Sequence, residues 1–144
     1  MKRSAKVRCD LSSEQIKPPY IVIIEDYEPL SRMPCDVFRR KGNRCFAICS
    51  KTSAEQFLRR VRPDLVVLDY QLIGGVGLEA AQIASEKKVP VIITSGHDNV
   101  ISRVKNAGYL YLVKPFTIPE LLELASVALG KELGSLEYPS IQIH

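Results

Sequence analysis

The chain has 144 residues, 46% hydrophobic and 25% charged, values typical of one globular domain with its own core. The net charge of +4 is modest, and five bases against two acids fall within residues 1–17. The four cysteines form no CxxC pair, which argues against a zinc site. No apolar segment follows the charged start, and no apolar stretch is long enough to cross a membrane. The sequence therefore argues against export and a membrane span and favours the cytoplasm.

Apolar runs alternate with amphipathic helical patterns along the chain, and this alternation predicts a parallel sheet with right-handed crossovers. The strands are predicted at about 20–24, 45–49, 64–68, 91–95 and 109–113. The helices are predicted at about 29–41, 53–61, 78–86, 99–107 and 118–129. Cys45 and Cys49 fall in the second strand and suit small buried positions.

Two of the helices have informative starts. Pro34 removes a backbone donor inside the first helix, so we expect a kink or a later start there. Thr52 and Ser53 are predicted to cap the second helix, with Glu55 and Gln56 placed to complete a capping box. Local residue chemistry thus predicts where the second helix begins and where the first is weakest.

The last helix has a clear start and an unusually broad apolar face. Thr117 is a suitable N-cap, Glu120 completes a capping box, and Gly130 ends the helix. More apolar positions than one core stripe needs lie between them: Ile118, Leu121, Leu122, Leu124, Ala125, Val127, Ala128 and Leu129. This excess predicts either a partner surface or a face covered by the C-terminal tail.

Chemically active side chains follow four of the predicted strands. Glu25 and Asp26 follow the first strand, and Asp69 follows the third. Ser95 ends the fourth strand, and Lys114 follows the fifth. Because the carboxyl ends of parallel strands line one crevice, we expect these five side chains to converge. Three acids, a hydroxyl and a lysine suit one divalent metal ion and one phosphoryl group.

The same strand ends resemble the motifs of a response regulator receiver domain. The matching pieces are Ile24-Glu25-Asp26, Leu68-Asp69 with Gly77 eight residues on, Pro90 to Gly96, and Tyr111 to Phe116. Four such pieces in order are far more specific than any one of them. The resemblance implies an α/β fold of the flavodoxin-like type, a doubly wound (βα)5 three-layer sandwich with parallel strand order 2-1-3-4-5.

The resemblance also implies the organisation of the chain. Residues 19–130 would form the receiver domain, stand-alone in type because no output domain is recognised after it. Residues 1–18 would be a flexible basic extension, with contact to nucleic acid or an anionic membrane as the alternative. Residues 131–144 would be a tail with weak structural signals.

The resemblance assigns a role to each strand-end residue. Asp69 would be the phosphoacceptor, because a carboxylate oxygen can attack phosphorus and form an aspartyl phosphate. Glu25, Asp26, Asp69 and the backbone carbonyl of Gln71 would hold Mg²⁺ or Mn²⁺. Lys114 would place its charge beside a phosphoryl oxygen. The structural alternatives are an exposed turn pair for the two adjacent acids, a cap of the following loop for Asp69, and a solvated side chain for Lys114.

Switching and lifetime involve four residues in this interpretation. Ser95 would donate its hydroxyl to the phosphoryl group and move towards it, and Tyr111 would swing into the vacated space. Gln71 and His97, each two residues beyond a site residue, would set the lifetime of the aspartyl phosphate. A half-buried strand aromatic and an exposed loop histidine are the alternatives for Tyr111 and His97.

The function expected from this resemblance is phosphoacceptor signalling in a two-component system or phosphorelay. A histidine kinase or histidine phosphotransfer protein would phosphorylate Asp69, and the fourth helix, fifth strand and last helix would then contact a target protein or a second copy of the chain. Neither direct DNA binding nor membrane attachment is expected, and the protein would accept a phosphoryl group rather than turn over a substrate. A phosphorylation-independent binding module is the rival from another class. A metal-dependent hydrolase has no separate leaving-group acid in this sequence to support it.

Overall fold

The computed structural model describes residues 18–72, 75–133 and 142–143. Five strands form its main sheet: β1 (Tyr20–Ile24), β2 (Arg44–Ile48), β3 (Leu65–Asp69), β4 (Val91–Ser95) and β5 (Leu110–Val113). The helices are α1 (Glu28–Arg40), α2 (Lys51–Arg60), α3 (Leu78–Glu86), α4 (Asp98–Asn106) and α5 (Ile118–Leu129). In the described residues no helix is both long and apolar enough to cross a membrane.

The main sheet is parallel throughout, in the order β2-β1-β3-β4-β5. This arrangement confirms the predicted strand order. The order reverses direction between β1 and β3, and at that point the loops after the two strands leave towards opposite faces of the sheet. A crevice for ligands therefore lies beyond the carboxyl ends of these two strands.

The three central strands, β1, β3 and β4, are buried on both faces, because successive side chains point to opposite sides of the sheet and helices cover both sides. One face packs against α2, α3 and α4, with a core that includes Val22, Ile24, Val66, Leu68, Leu58, Ala81 and Val104. The other face packs against α1 and α5, with a core that includes Ile21, Ile23, Leu65, Val67, Phe38, Leu121 and Ala125. These two apolar layers hold the strand ends in a fixed relative position.

The helix starts differ in part from the predictions. The predicted cap of α2 at Thr52 and Ser53 is wrong: Ser50 is the N-cap, and its hydroxyl accepts the Ser53 N–H at 3.2 Å. Glu55 instead pairs with Lys51 at 3.1 Å. The predicted capping box of α5 is confirmed, since the Thr117 hydroxyl accepts the Glu120 N–H and the Glu120 carboxylate accepts the Thr117 N–H.

Of the two outcomes expected at Pro34, the later start is wrong, because α1 is continuous from Glu28 to Arg40 with Pro34 inside it, and the kink stays a prediction. Pro34 is buried, so its ring contributes to the core while it removes one backbone donor. Cys45 is buried as predicted, whereas Cys49 is exposed, so the prediction for Cys49 is wrong. β2 ends at Ile48, and the thiol of Cys49 therefore lies beyond the packed part of the sheet.

Two short antiparallel pairs accompany the main sheet. Gln71–Leu72 pairs with Gly75–Val76 inside the predicted loop after β3. Phe116–Thr117 pairs with Gln142–Ile143, and the Ile143 side chain is buried. Part of the weakly patterned tail therefore returns to the core. The predicted basic extension, apart from residue 18, and the tail residues 134–141 and 144 lie outside the described residues.

The broad apolar face of α5 divides into three parts. Ile118, Leu121, Leu122 and Ala125 are buried in the core. Leu124, Ala128 and Leu129 are partly buried and pack against the same core. Val127 is 65% exposed. Most of the excess apolar surface is therefore covered within the chain, and one large side chain of the helix faces outward.

Candidate functional site

The first two acids of the site lie where β1 leaves the sheet. The Glu25 N–H donates to the Ile48 carbonyl at 3.0 Å and so extends the pairing of β1 with β2 by one residue. Glu25 is buried, and its Oε2 accepts the Tyr27 N–H at 3.2 Å. Asp26 is half-buried beside it. The backbone of this turn thereby holds one carboxylate inside the site and a second at its mouth.

Asp69 is the last residue of β3, and its side chain is 13% exposed. The Gln71 N–H lies 3.4 Å from its Oδ1. Gly77 packs against the same turn, since a Cβ atom built there would lie 2.9 Å from the Asp69 carbonyl oxygen and 3.1 Å from Leu68 Cδ1. The loop after β3 therefore approaches Asp69 closely only because residue 77 has no side chain.

Lys114 enters the site from the loop after β5. Its backbone N–H donates to the Ser95 carbonyl at 2.8 Å, and the following peptide bond to Pro115 is cis. Its Nζ lies 3.4 Å from Glu25 Oε1 and 3.3 Å from Asp69 Oδ2. The ammonium group thus bridges two carboxylates that come from strands β1 and β3.

Glu25, Asp26 and Asp69 form a group of oxygen ligands. Each offers one carboxylate oxygen, and the three atoms lie within 4.8 Å of one another. Hard oxygen donors at this spacing suit Mg²⁺, which prefers carboxylates and retains several waters. The donor set therefore fits the predicted metal, while ligation by the Gln71 carbonyl stays a prediction.

The pKa of Glu25 is raised to about 7, mainly by burial and further by the nearby charge of Asp69. Lys114 opposes this effect because its positive charge favours the ionised carboxylate. The site thus places two carboxylates together with one compensating ammonium group. An added cation would relieve the remaining repulsion, so the electrostatics favour cation binding.

A cleft of about 320 Å³ opens above Asp69 and Lys114. Its lining also includes Gln71, Ser95, Gly96, His97 and Pro115. The Ser95 hydroxyl oxygen accepts the His97 N–H at 3.1 Å. Ser95 is buried, whereas the side chains of Gln71 and His97 are exposed at the rim. The cleft has room for a phosphoryl group beside Asp69.

Tyr111 lies outside this lining. It is half-buried on β5, pairs in register with Ile93, and packs against the core formed with α2, α3 and α4. The structure therefore brings Glu25, Asp26, Asp69 and Lys114 into direct proximity and places Ser95, Gln71 and His97 around the same cleft. The roles assigned to these residues, and the switch role of Tyr111, stay predictions.

Two contributors to the site were missed by sequence reasoning. The close approach of Gly77 to Asp69 could have been inferred from its place in the recognised motif, although its steric role needs the fold. A small cavity beneath the site is bounded by Glu25 and Lys114 together with Pro34 and Ile143. Nothing in the local sequence indicates that Ile143, far along the tail, would reach this position.

Comparison with known proteins identifies the family of this site. Residues 21–126 match the model of the response regulator receiver domain. The chain belongs to this family. The match spans every strand-end residue of the site, from Glu25 to Lys114. Receiver domains are signalling domains.

Two curated relatives resemble this receiver domain. Transcriptional regulatory protein PdtaR of Mycobacterium tuberculosis (strain ATCC 25618 / H37Rv) is 29% identical over 127 residues, which cover 83% of this chain and 62% of that protein. Phosphate regulon transcriptional regulatory protein PhoB of Rhizobium meliloti (strain 1021) is 31% identical over 111 residues, covering 72% and 49% respectively. The chain therefore spans 62% of the first relative's length and 49% of the second's.

Solved structures share the architecture. The receiver domain of sensor histidine kinase PA1611 from Pseudomonas aeruginosa PAO1, with magnesium coordinated in its active site cleft, has a TM-score of 0.70 at 22% identity, covering 79% of this chain and 99% of that chain. A response regulator from Chloroflexus aurantiacus J-10-fl has a TM-score of 0.72 at 24% identity, covering 80% and 100%. These likenesses confirm the flavodoxin-like fold.

Proposed function

We propose that this receiver domain is a Mg²⁺-dependent phosphoacceptor and that Asp69 receives the phosphoryl group. The observation that carries the proposal is the position of Asp69, whose Oδ2 lies 3.3 Å from Lys114 Nζ and which shares an oxygen cluster with Glu25 and Asp26. A nucleophile, a cationic partner and a metal-ligand set are thus present together at the carboxyl edge of the sheet. The donor would be a phosphohistidine of a kinase or phosphotransfer protein.

Each side chain has a defined task in this reaction. An Asp69 oxygen attacks phosphorus while the bond from phosphorus to the donor histidine nitrogen breaks. Lys114, already close to Asp69, places its charge beside a phosphoryl oxygen. When bound, Mg²⁺ or Mn²⁺ would neutralise charge on the phosphoryl oxygens. Glu25 and Asp26 would hold the metal, with the Gln71 carbonyl as a further ligand.

The proposed switch begins at Ser95. Its hydroxyl lines the cleft and would donate to a phosphoryl oxygen, whereas its oxygen now accepts the His97 N–H. Tyr111 occupies a half-buried position on β5 and would move inward after Ser95. The surface formed by α4, β5 and α5 would then change shape and contact a target protein or a second copy of the chain. We propose that this chain does not itself bind DNA.

Gln71 and His97 are proposed to set the lifetime of the aspartyl phosphate. Both line the rim of the cleft, on the side open to solvent. Their side chains therefore flank the path of a water molecule that attacks the phosphorylated Asp69. A double variant, Gln71→Ala with His97→Ala, should change the rate of dephosphorylation. An unchanged rate would remove this role from both residues.

The rival candidate is a binding module that works without phosphorylation on the same fold. The two functions are distinguished by titrating the full chain with beryllofluoride and Mg²⁺ while recording two-dimensional amide NMR spectra. A phosphoacceptor should give saturable, metal-dependent shifts that Asp69→Asn abolishes and that the exposed control Asp36→Asn retains. A binding module should give no such shifts.

We also propose that the protein works in the cytoplasm and accepts a phosphoryl group rather than turning over a substrate. It should then consume about one acetyl phosphate per chain in each phosphorylation cycle, because each acceptance occupies Asp69 until dephosphorylation. Rapid, sustained release of phosphate from an added phosphoester would identify a hydrolase instead. The expected result is a slow release whose rate equals that of dephosphorylation of Asp69.

A further inference from the structure

Two thiols meet between α1 and β2, away from the acidic site. Cys35 on α1 and Cys45 on β2 are both buried, and their sulfur atoms lie 3.2 Å apart. The thiols are free, and the Cys45 S–H donates to the Cys35 sulfur. Two cysteines from different elements whose sulfur atoms touch can react with each other, which two small apolar side chains in a core cannot do.

The two sulfurs are chemically unequal. The hydrogen bond from Cys45 lowers the pKa of Cys35, and the positive charge of Arg39 contributes in the same direction. The same hydrogen bond raises the pKa of Cys45, and burial raises it further. Cys35 is therefore the better nucleophile of the pair, while Cys45 retains its proton.

Cys35 has a route to solvent. It lines a surface cleft of about 260 Å³ whose other walls include Ser31, Arg32, Asp36, Arg39 and Ala47. A molecule as small as hydrogen peroxide fits a cleft of this size. Within the described residues, no third cysteine, histidine or acid joins the two sulfurs in a metal-binding group. The arrangement therefore favours thiol chemistry over metal ligation.

We propose that Cys35 and Cys45 are an oxidation site that closes to an intramolecular disulfide on reaction with a peroxide. The Cys35 sulfur attacks one peroxide oxygen, the O–O bond breaks, and water leaves, giving a sulfenic acid. The Cys45 sulfur then attacks the Cys35 sulfur, the S–O bond breaks, and the Cys45 proton leaves with the hydroxide as a second water. Two thiols are oxidised, and one peroxide is reduced to two waters.

Little movement is needed to form the bond. A disulfide has a sulfur–sulfur distance of about 2.05 Å, so two atoms that now lie 3.2 Å apart must approach by about 1.2 Å. The bond would tie α1 to β2. Because α1 begins three residues after Glu25, the cross-link would restrain the helix that follows the acidic turn. The proposal is independent of phosphorylation at Asp69.

The test uses the full chain with Cys9→Ser and Cys49→Ser, so that Cys35 and Cys45 are its only thiols. The reduced protein is treated with one equivalent of hydrogen peroxide, alkylated under denaturing conditions, and examined by intact mass and non-reducing peptide mapping. The expected result is the joint loss of both alkylation sites and one cross-linked peptide containing Cys35 and Cys45. Reduction should restore both sites.

Two controls make the result decisive. Asp69→Asn added to this background should leave the rate of oxidation unchanged relative to the background protein. Cys45→Ser should give a sulfenic acid on Cys35 without a cross-link. The same peroxide treatment of the wild-type chain should join Cys35 to Cys45 and not to the exposed Cys49. The proposal is overturned if both thiols stay alkylatable, or if the cross-link joins different molecules.

Discussion

Glu25 is a buried acid next to a second carboxylate, and its pKa is raised to about 7. Between the ordinary pKa of a glutamate and this value, the folded protein binds a proton more tightly than the unfolded chain. The contribution of Glu25 to stability therefore falls as pH rises through this interval. A metal-free protein carries this cost at neutral pH, and a bound cation would remove it.

We expect Glu25→Gln to raise the free energy of unfolding by about 1–3 kcal/mol at about pH 8 in metal-free buffer, and by much less at about pH 5. The neutral amide avoids the cost of ionising a buried carboxyl. Urea denaturation of both proteins at the two pH values, in the presence of a chelator, measures the difference. Glu123→Gln, an exposed change on α5, is the control. An equal change at both pH values would contradict this account of Glu25.

Gly77 provides a second prediction at the residue scale. A methyl group there would meet the Asp69 carbonyl oxygen at 2.9 Å, whereas one at Gly96 has its nearest neighbour, Lys114 Cβ, at 3.8 Å. We expect Gly77→Ala to cost about 1–3 kcal/mol of stability and Gly96→Ala to cost less than about 0.5 kcal/mol. Urea denaturation compares the two. Equal stability of both variants would show that the loop after β3 shifts freely.

At the scale of elements, the start of α2 gives a direct comparison between neighbouring hydroxyls. Ser50 caps the helix, while Thr52 is exposed in its first turn. We expect Ser50→Ala to lower the free energy of unfolding by about 1 kcal/mol, and Thr52→Ala to have little effect because alanine is the better helix former. Urea denaturation midpoints measure both. A larger loss for Thr52→Ala would favour the cap predicted from sequence.

Most element boundaries could be predicted from the sequence to within one or two residues. Uninterrupted apolar runs such as that before Asp69 are bounded by glycine, proline or charge, so their ends are legible. The cap of α2 was less legible because three hydroxyl residues lie within four positions. The choice among them depends on the extended backbone of Ser50, which no side-chain pattern records. Pro34 does not delay the start of α1, and its burial inside the helix could not be read from the local sequence.

At the scale of the whole molecule, Ile143 joins the C-terminal segment to the core beside the site. Its strand pairs with Phe116–Thr117, and its side chain bounds the cavity beneath Glu25 and Lys114. We expect Ile143→Ala to lower the free energy of unfolding by about 2–4 kcal/mol, as for other buried aliphatic truncations. Urea denaturation tests this, with the exposed Val127→Ala as control. Equal effects of the two changes would show that Ile143 contributes no core packing.

The convergence of the site could be predicted because the rule for parallel strand ends needs only element order. That rule predicts that Glu25, Asp69 and Lys114 lie together. In the structure Lys114 Nζ is within ion-pair distance of both carboxylates. The role of Ile143 and the contact of Cys35 with Cys45 were not predictable in the same way. They depend on helix packing and on a distant strand pairing, and neither leaves a local pattern in the sequence.

The central claim is that Asp69 is a metal-dependent phosphoacceptor, and the most direct test is intact-mass measurement with peptide mapping after incubation with acetyl phosphate. The account predicts one added phosphoryl group per chain, located on Asp69, dependent on Mg²⁺, and absent in the folded Asp69→Asn variant. A fully folded wild-type chain that stays unmodified with Mg²⁺, or that carries the group on another residue, would contradict it.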